Sequence, residues 1–398
     1  MSSRPVVIVG ASAAGLGCAR GLRHHGYADR LIVVGAEAHD PYDRPPLSKQ
    51  ILSGEWPPER VTLGTPASFS DLGVELKLST QAAALDLGRR AVLLDTAEMI
   101  PFAKLVIATG VSPRIPAGAS GLRGVHILRT LDDALALREA FSRTEQVTVI
   151  GGGLLGAEVA ATARKLGLTV DMVYAERYVN EVPLGLALAP VMHDLHVRNG
   201  VRLHPRTFVE RVDGHGGAVT AVRFAGGESM PTRLVVACVG STPNTGWLAD
   251  SGLSLIEGVD CDSACSVGDG IFAAGDVASW IDRASGRRVR AEHQANALEQ
   301  GNAVAENLAL GSARAYEPVP YFWTDQYGQR MQVHGWWPTD AFLHFTDGSI
   351  TADRFAAVAH RDGLVVGTIG FNAARKLGRL RGLIGRPFNP STLATSTS

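Results

Sequence analysis

Two glycine-rich turns and one proline-bracketed basic loop carry most of the chemistry legible in this chain. The first turn, Gly10-Ala11-Ser12-Ala13-Ala14-Gly15, follows the apolar run Val6-Val7-Ile8-Val9. The second, Gly151-Gly152-Gly153-Leu154-Leu155-Gly156, follows Val147-Thr148-Val149-Ile150. In each, the first glycine permits a tight turn, the middle position lets backbone approach a pyrophosphate, and the last lets helix and strand pack closely. Ser12 replaces the middle glycine in the first copy, while Gly151, Gly153 and Gly156 match without substitution. The helix N-terminus that follows attracts phosphate. An acid about 20 residues further on binds the ribose hydroxyls, and Glu37 stands there after the first turn. After the second, Tyr174 occupies the strand end, with Glu176 and Arg177 just behind it. An acid repels a 2′-phosphate and an arginine accommodates one, so these residues leave NADH and NADPH both open. A chain that holds two dinucleotides is suited to reducing one with the other.

The loop Pro41-Tyr42-Asp43-Arg44-Pro45-Pro46-Leu47-Ser48-Lys49 is rigid by composition. It can set prolines against a flat ring and aim the Lys49 ammonium at a polar edge; a surface linker with solvated charges is the bland alternative. The four cysteines are Cys18, Cys238, Cys261 and Cys265. Cys18 stands alone in the first helix, and no thiol occurs between it and Cys238, so a redox disulfide early in the chain is excluded. Cys261 and Cys265 lack the histidines or second cysteine pair of a zinc site, so no metal is expected. A net charge of -1 gives no pull toward nucleic acid or an anionic membrane. No apolar run reaches the roughly 18 to 20 residues of a membrane span. The apolar start lacks a basic segment with a cleavage site, so a cytoplasmic location is expected.

The elements that must position these residues repeat. At 398 residues the chain suits two or three domains. Residues 5–9 read as a buried parallel strand, 13–25 as a helix and 31–34 as the next strand. Residues 41–49 are neither helix nor central strand. Residues 104–108 form another strand, ending at Thr109-Gly110. Strand 147–150, helix 153–166 and strand 169–173 repeat the unit. Residues 234–240 repeat the strand-to-glycine ending, and 271–276 form a strand ending in Asp276. Residues 292–309 are helical by spacing. From about 320 aromatics cluster at Tyr321, Phe322, Trp323, Tyr327, Trp336 and Trp337, and strands follow. The tail 387–398 is expected to be disordered.

PYDRPPLSK, GGGLLGAEVAA, IFAAGDVA, EHQANALEQG and PYFWTDQYG occur in that order. Together they resemble the oxygenase-coupled ferredoxin reductases, from residue 4 to about 340 and more weakly beyond. The resemblance implies an α/β fold of the glutathione-reductase type. An FAD-binding domain would span 1–110 and 240–319, an NAD(P)H-binding domain 111–239 and a C-terminal interface domain 320–398. It implies FAD and NADH or NADPH as cofactors, NADH favoured. It further implies a ferredoxin as electron acceptor, serving a Rieske or haem oxygenase, and a monomer or homodimer. A rubredoxin reductase or a redox-sensing flavoprotein like apoptosis-inducing factor is the alternative.

By the same resemblance Gly10, Ser12, Ala14, Gly15 and Glu37 hold the FAD adenosine and pyrophosphate. Ala83 touches the adenine by backbone, and Arg129 contacts the phosphates or a neighbouring loop. Asp276, after Gly275, binds the ribityl chain. Arg44, Pro46, Lys49, Thr109, Gly110, His293, Gln294, Ala295 and Trp323 are assigned to the FAD as well. Gly151, Gly153, Leu154, Leu155, Gly156, Glu158, Tyr174, Glu176 and Gly240 are assigned to NAD(P)H. Lys49 and Glu158 form the catalytic pair, Lys49 stabilising anionic reduced flavin and Glu158 the nicotinamide cation. Two departures stand out: Gln294 replaces the family's usual tryptophan, and Tyr174 its usual acid. Two basic clusters, Arg375, Lys376, Arg379, Arg381 and Arg386, and Arg287, Arg288 and Arg290, are candidate docks for an acidic ferredoxin.

Overall fold

The protein, described by a computed structural model, is covered over residues 4–283, 286–335 and 341–390. Packing divides it into two compact units. One comprises Met1–Arg44, Pro58–Ser112 and Ser241–Pro318; the other comprises Pro45–Pro57, Pro113–Gly240 and Val319–Ser398.

The first unit is built on a six-stranded sheet in the order Ser266–Gly268, Ile271–Ala273, Lys104–Ile107, Val6–Val9, Leu31–Val34, Val74–Lys77. All neighbours are parallel except the Ser266–Gly268 edge. Val6 to Val9 are buried, as continuous β-branched strands require when both faces are covered. The helix Ala13–His24 follows the first turn and packs along the helix Gln294–Leu310. Gly10 sits at φ 126, and a Cβ there would lie 2.0 Å from the Ala108 carbonyl oxygen. At Gly15 a Cβ would lie 1.8 Å from the Gly10 oxygen. Only glycine closes this turn against its strand.

The second unit repeats the device. Its five-stranded parallel sheet runs Arg202–His204, Thr169–Val173, Gln146–Ile150, Val235–Ala237, Val125–His126. Gly151 (φ 116) and Gly156 meet the Cys238 and Gly151 oxygens at 2.1 and 2.2 Å in the same way.

After it comes an antiparallel sheet, Tyr321–Gln326, Gln329–Gly335, Leu364–Phe371, Phe355–Arg361, Phe342–Gly348. Both its faces are covered. Phe355 and Ala359 point to Leu184, Leu188 and Met192 of the helix Glu181–Arg198. Ala356 and Val358 point the other way, toward Ala373 and Leu380 beside the helix Ala374–Leu380.

The expectation of three bodies differs from this division. The Glu181–Arg198 helix supplies one wall of the C-terminal core, so 113–240 and 319–398 pack as one. Residues 45–57 also belong to that unit. The expected disordered tail is ordered at least to residue 390, since Phe388 stacks on His360 with ring centroids 3.7 Å apart. Trp336, Trp337 and 391–398 lie outside the described residues.

Candidate functional site

Side-chain capping separates the helices into two kinds. Thr130 and Asp133 form a full capping box on the Leu131–Phe141 helix. The helices after the two glycine turns begin at Ser12 and Gly153 with no side-chain cap. Their first N–H groups lack an intrahelical partner and are available to an anion. Gly153 has open space where a Cβ would project, which suits backbone approach by a phosphate.

In the first unit a pocket beside this helix start is lined by Ala11, Ser12, Gly35, Glu37, His39 and Tyr42, among others. The Glu37 carboxylate accepts hydrogen bonds from the Tyr42 hydroxyl and from Arg44 (2.6 Å). Arg44 also donates to Ser12 Oγ at 3.3 Å. The Arg44 guanidinium thus stands at the glycine turn, beside the Glu37 charge.

Ala83 is skipped by the register at a bulge between Ala82 and Ala84, which leaves its backbone outside the ladder. Thr109 and Gly110 are tied to Asn244, with Thr109 Oγ1 to the Asn244 oxygen at 2.9 Å and Asn244 Nδ2 to the Thr109 oxygen at 2.9 Å. Gly275 N–H donates to Gln300 Oε1 at 2.8 Å, fixing the turn before Asp276. His293 occupies the N-cap position of the Gln294–Leu310 helix without a side-chain cap bond. Gln294 donates to Asp43, and its Oε1 is buried with no hydrogen-bond partner among the described residues. An unsatisfied buried carbonyl beside Ala295 suits a ligand donor. Pocket, uncapped helix, exposed bulge backbone and orphaned oxygen fit FAD.

The second unit carries the charged centre. Pro45–Ser48 is a 3-10 turn, closed by Lys49 N–H to the Pro46 oxygen at 3.1 Å. It aims Ser48 and Lys49 at the helix Leu154–Lys165, where Thr162 Oγ1 donates to the Ser48 oxygen at 2.7 Å. Lys49 Nζ lies 2.7 Å from Glu158 Oε2, Ser48 Oγ 2.6 Å from the same oxygen, and Thr324 Oγ1 2.8 Å from Oε1. Glu158 is 7% exposed. It occupies the helix's second turn, so it is not a solvated N-terminal charge; three side chains hold it in place.

Sequence reasoning missed Ser48, Thr324 and Gln326. The signal was present: in Tyr321–Gln326 the polar residues Thr324 and Gln326 alternate at strand period and are the fully buried face.

Other expected contacts fare differently. Tyr174 is buried, its hydroxyl 3.2 Å from His193 Nδ1, and its ring fills the space a Cβ on Gly152 would enter. The ring is turned inward as packing against the glycine turn. Glu176, just beyond the strand, is half-buried and makes no side-chain hydrogen bond or ion pair among the described residues. Gly240 (φ 92) accepts from Arg114 N–H at 2.9 Å. Leu154 and Leu155 open the helix, Leu155 exposed. Arg129 gives its backbone N–H to the Asp133 cap at 3.0 Å. Trp323 is half-buried and stacks on Tyr321 at 5.6 Å.

Of the basic clusters, Arg288 and Arg290 are consumed internally. Arg288 donates to the Ser279 oxygen at 2.7 Å, and Arg290 bonds the Asp276 oxygen and Glu292. Arg375, Arg379, Arg381 and Arg386 are exposed, while Lys376 pairs with Asp347 at 2.8 Å. The Cys261 thiol donates to the Ser279 oxygen at 3.2 Å, and Gln300 donates to Cys265 Sγ at 3.2 Å. Burial pushes the Cys18 thiol up to about 12. Among the described residues no cluster of three histidines, cysteines or carboxylates could hold a metal, and no helix is long and apolar enough to cross a membrane.

Comparisons with known proteins agree with this geometry. Residues 4–301 match the pyridine nucleotide-disulphide oxidoreductase family, and 321–395 match a reductase C-terminal domain. The chain is 32% identical to the ferredoxin–NAD(+) reductase component of the anthranilate 1,2-dioxygenase system of Burkholderia cepacia, covering 100% of this chain and 98% of that one. It superposes on the ferredoxin reductase for the CYP199A2 system from Rhodopseudomonas palustris with a TM-score of 0.93 at 32% identity, covering 98% and 97% of the two chains. The covalent putidaredoxin reductase–putidaredoxin complex gives a TM-score of 0.91 at 30% identity, covering 99% and 96%. Two dinucleotide turns on parallel sheets, followed by a five-stranded antiparallel sheet, thus place this chain in the pyridine nucleotide-disulphide oxidoreductase family.

Proposed function

We propose that the chain is an FAD-dependent reductase that takes electrons from NADH and delivers them to a 2Fe-2S or similar ferredoxin serving an oxygenase. The observation that carries this reading is the buried Lys49–Glu158 pair on the helix that follows an uncapped dinucleotide turn. Gly10, Ser12, Gly15, Glu37 and Ala83 would hold the FAD nucleotide, with Gly275, Asp276 and Gln294 along its length. Gly151, Gly153, Gly156 and Glu176 would hold NADH, the free acid at 176 disfavouring a 2′-phosphate. The flavin, when bound, supplies hydride acceptance and release of single electrons, which no side chain here can do.

The protein's own contribution is electrostatic and geometric. Glu158 offers a fixed negative charge to a nicotinamide that becomes cationic as it gives up hydride. Lys49 offers a positive charge to a ring that gains negative charge. Neither must reorganise, because Ser48 and Thr324 already hold the carboxylate. Burial removes water and so strengthens both effects. Relatives that are ferredoxin reductases support a ferredoxin acceptor, and the exposed Arg375, Arg379 and Arg381 suit an acidic partner.

The test is anaerobic mixing of the purified protein with NADH or NADPH, followed by a panel of ferredoxins with cytochrome c as readout. Bleaching by NADH and ferredoxin-dependent cytochrome reduction are expected. A colourless protein that takes up no FAD, or a yellow one that NADH does not bleach, overturns the reading.

A further inference from the structure

Behind Glu158 the second unit buries a row of polar side chains that direct hydride transfer does not require. Gln326 is its hub. Gln326 Nε2 lies 3.0 Å from Thr324 Oγ1 and 3.0 Å from Asn180 Oδ1. Gln326 Oε1 lies 2.8 Å from His196 Nε2, and His196 Nδ1 lies 2.8 Å from the Tyr327 hydroxyl. Asn180 in turn gives its backbone N–H (2.7 Å) and its Nδ2 (3.4 Å) to the Gly152 oxygen inside the glycine turn. Asn180, His196, Thr324 and Gln326 are all buried. Asn180 holds a left-handed backbone at φ 59, uncommon for a residue with a side chain and kept here by its bonds to the turn.

The donors and acceptors admit one arrangement. A carboxylate only accepts, so the single Thr324 hydrogen is committed to Glu158. The Thr324 oxygen must then accept from one Gln326 N–H, and the other goes to Asn180. The Gln326 carbonyl accepts, so His196 carries its hydrogen on Nε2. Burial pushes the His196 imidazole down to about 4, so it is neutral and its Nδ1 accepts from Tyr327. Every hydrogen along Tyr327, His196, Gln326, Thr324 and Glu158 therefore points toward the carboxylate. A fully satisfied buried network of this kind fixes one geometry, since each broken link leaves an unpaired polar group in the core.

We propose that Gln326 is a positioning residue that locks the Glu158 carboxylate, through Thr324, in register with the Gly152 turn, through Asn180. One amide would thus set the two protein groups that meet the nicotinamide and the pyrophosphate of the same dinucleotide. The proposal rests on reading this unit as the NADH site.

The test uses the FAD-loaded protein and the variants Gln326→Glu, Gln326→Met and Thr324→Val. A carboxylate at 326 keeps the size and still accepts from His196, but cannot donate to Thr324 or Asn180. We expect Gln326→Glu to retain FAD, to weaken NAD+ binding in calorimetry several-fold and to slow flavin bleaching at saturating NADH by roughly tenfold or more. In a Thr324→Val background, Gln326→Met should slow bleaching no further yet still weaken NAD+ binding, because the Asn180 arm remains. In the wild type, nitrogen NMR at pH 7 should show His196 neutral with hydrogen on Nε2. A lowered melting temperature with unchanged NAD+ affinity and saturated rate, or fully additive effects on the rate, overturns the proposal. So does the other His196 tautomer, a measurement that needs no variant to fold. Wild-type protein that NADH fails to bleach defeats the functional reading instead, while NAD+ binding still reports on Gln326.

Discussion

Glu158 is held from three sides, so its partners can be removed one at a time. Lys49→Ala leaves the carboxylate with the Ser48 and Thr324 hydroxyls only. Removing one member of a buried pair costs about 3 to 5 kcal/mol, and Lys49→Gln serves as the gentler variant. In both, stopped-flow reduction by NADH should slow by about 100-fold while the ratio of FAD to protein stays near one. Unchanged reduction would remove Lys49 from the chemistry. On the proposed reading nucleotide choice would belong to Glu176, since Tyr174 packs against the turn. Glu176→Arg should shift the ratio of kcat/KM for NADH over NADPH toward NADPH by roughly tenfold. The pair Lys49 and Glu158 was nameable from their motifs. Ser48, Thr324 and Gln326 were not, since their roles depend on a strand far along the chain reaching back to one helix.

Glycines decide matters at the scale of elements, and neighbouring ones do so differently. Gly156→Ala drives a Cβ into the Gly151 oxygen at 2.2 Å, so the turn must open; the protein should lose NADH binding and melt at lower temperature. Gly153→Ala meets nothing within 4 Å and should melt like wild type. Calorimetry should still find weaker NADH binding for Gly153→Ala, because the methyl occupies the line of phosphate approach. Strand and helix positions around these turns were legible because the apolar runs are unbroken. The helix Glu181–Arg198 was not, as it contains Gly185 at φ 65 and Pro190 and reads as interrupted. That helix brings His196 into the core. His196 is held near 4 against an ordinary 6.5, so the unfolded chain binds its proton first as pH falls. Its contribution is complete above pH 6.5 and is lost as pH drops toward 4, on the order of 3 kcal/mol in all. Melting curves of wild type and His196→Gln should diverge most at pH 7 and converge toward pH 4. His334, also pushed down to about 4 by burial and Arg381, remains in both.

For the whole molecule, net charge is -1, so any attraction to an acidic partner must be local. Arg379 and Arg381 lie exposed at the end of the Ala374–Leu380 helix. Reversing both to glutamate should reduce the rate of ferredoxin reduction at low salt by at least tenfold and flatten its dependence on ionic strength. NADH-dependent bleaching should be unaffected. An unaltered salt dependence would move the dock elsewhere. The Arg287, Arg288 and Arg290 cluster looked equivalent by composition. Bonds to Ser279, Asp276 and Glu292 show that two of its members hold their own unit together.

By itself the sequence determined the two dinucleotide turns, their strands and helices, and the absence of a cysteine pair early in the chain. These are local: a tight turn needs glycine within a few residues, and buried parallel strands need unbroken apolar runs. Tertiary structure alone decided which way Tyr174 faces, that Arg44 answers Glu37, and that the C-terminal sheet shares a core with the second unit. It also decided that Thr324 and Gln326 reach Glu158. Hydrogen bonds and ion pairs between distant residues depend on three-dimensional proximity and on burial, and neither is written in the spacing of residues along the chain.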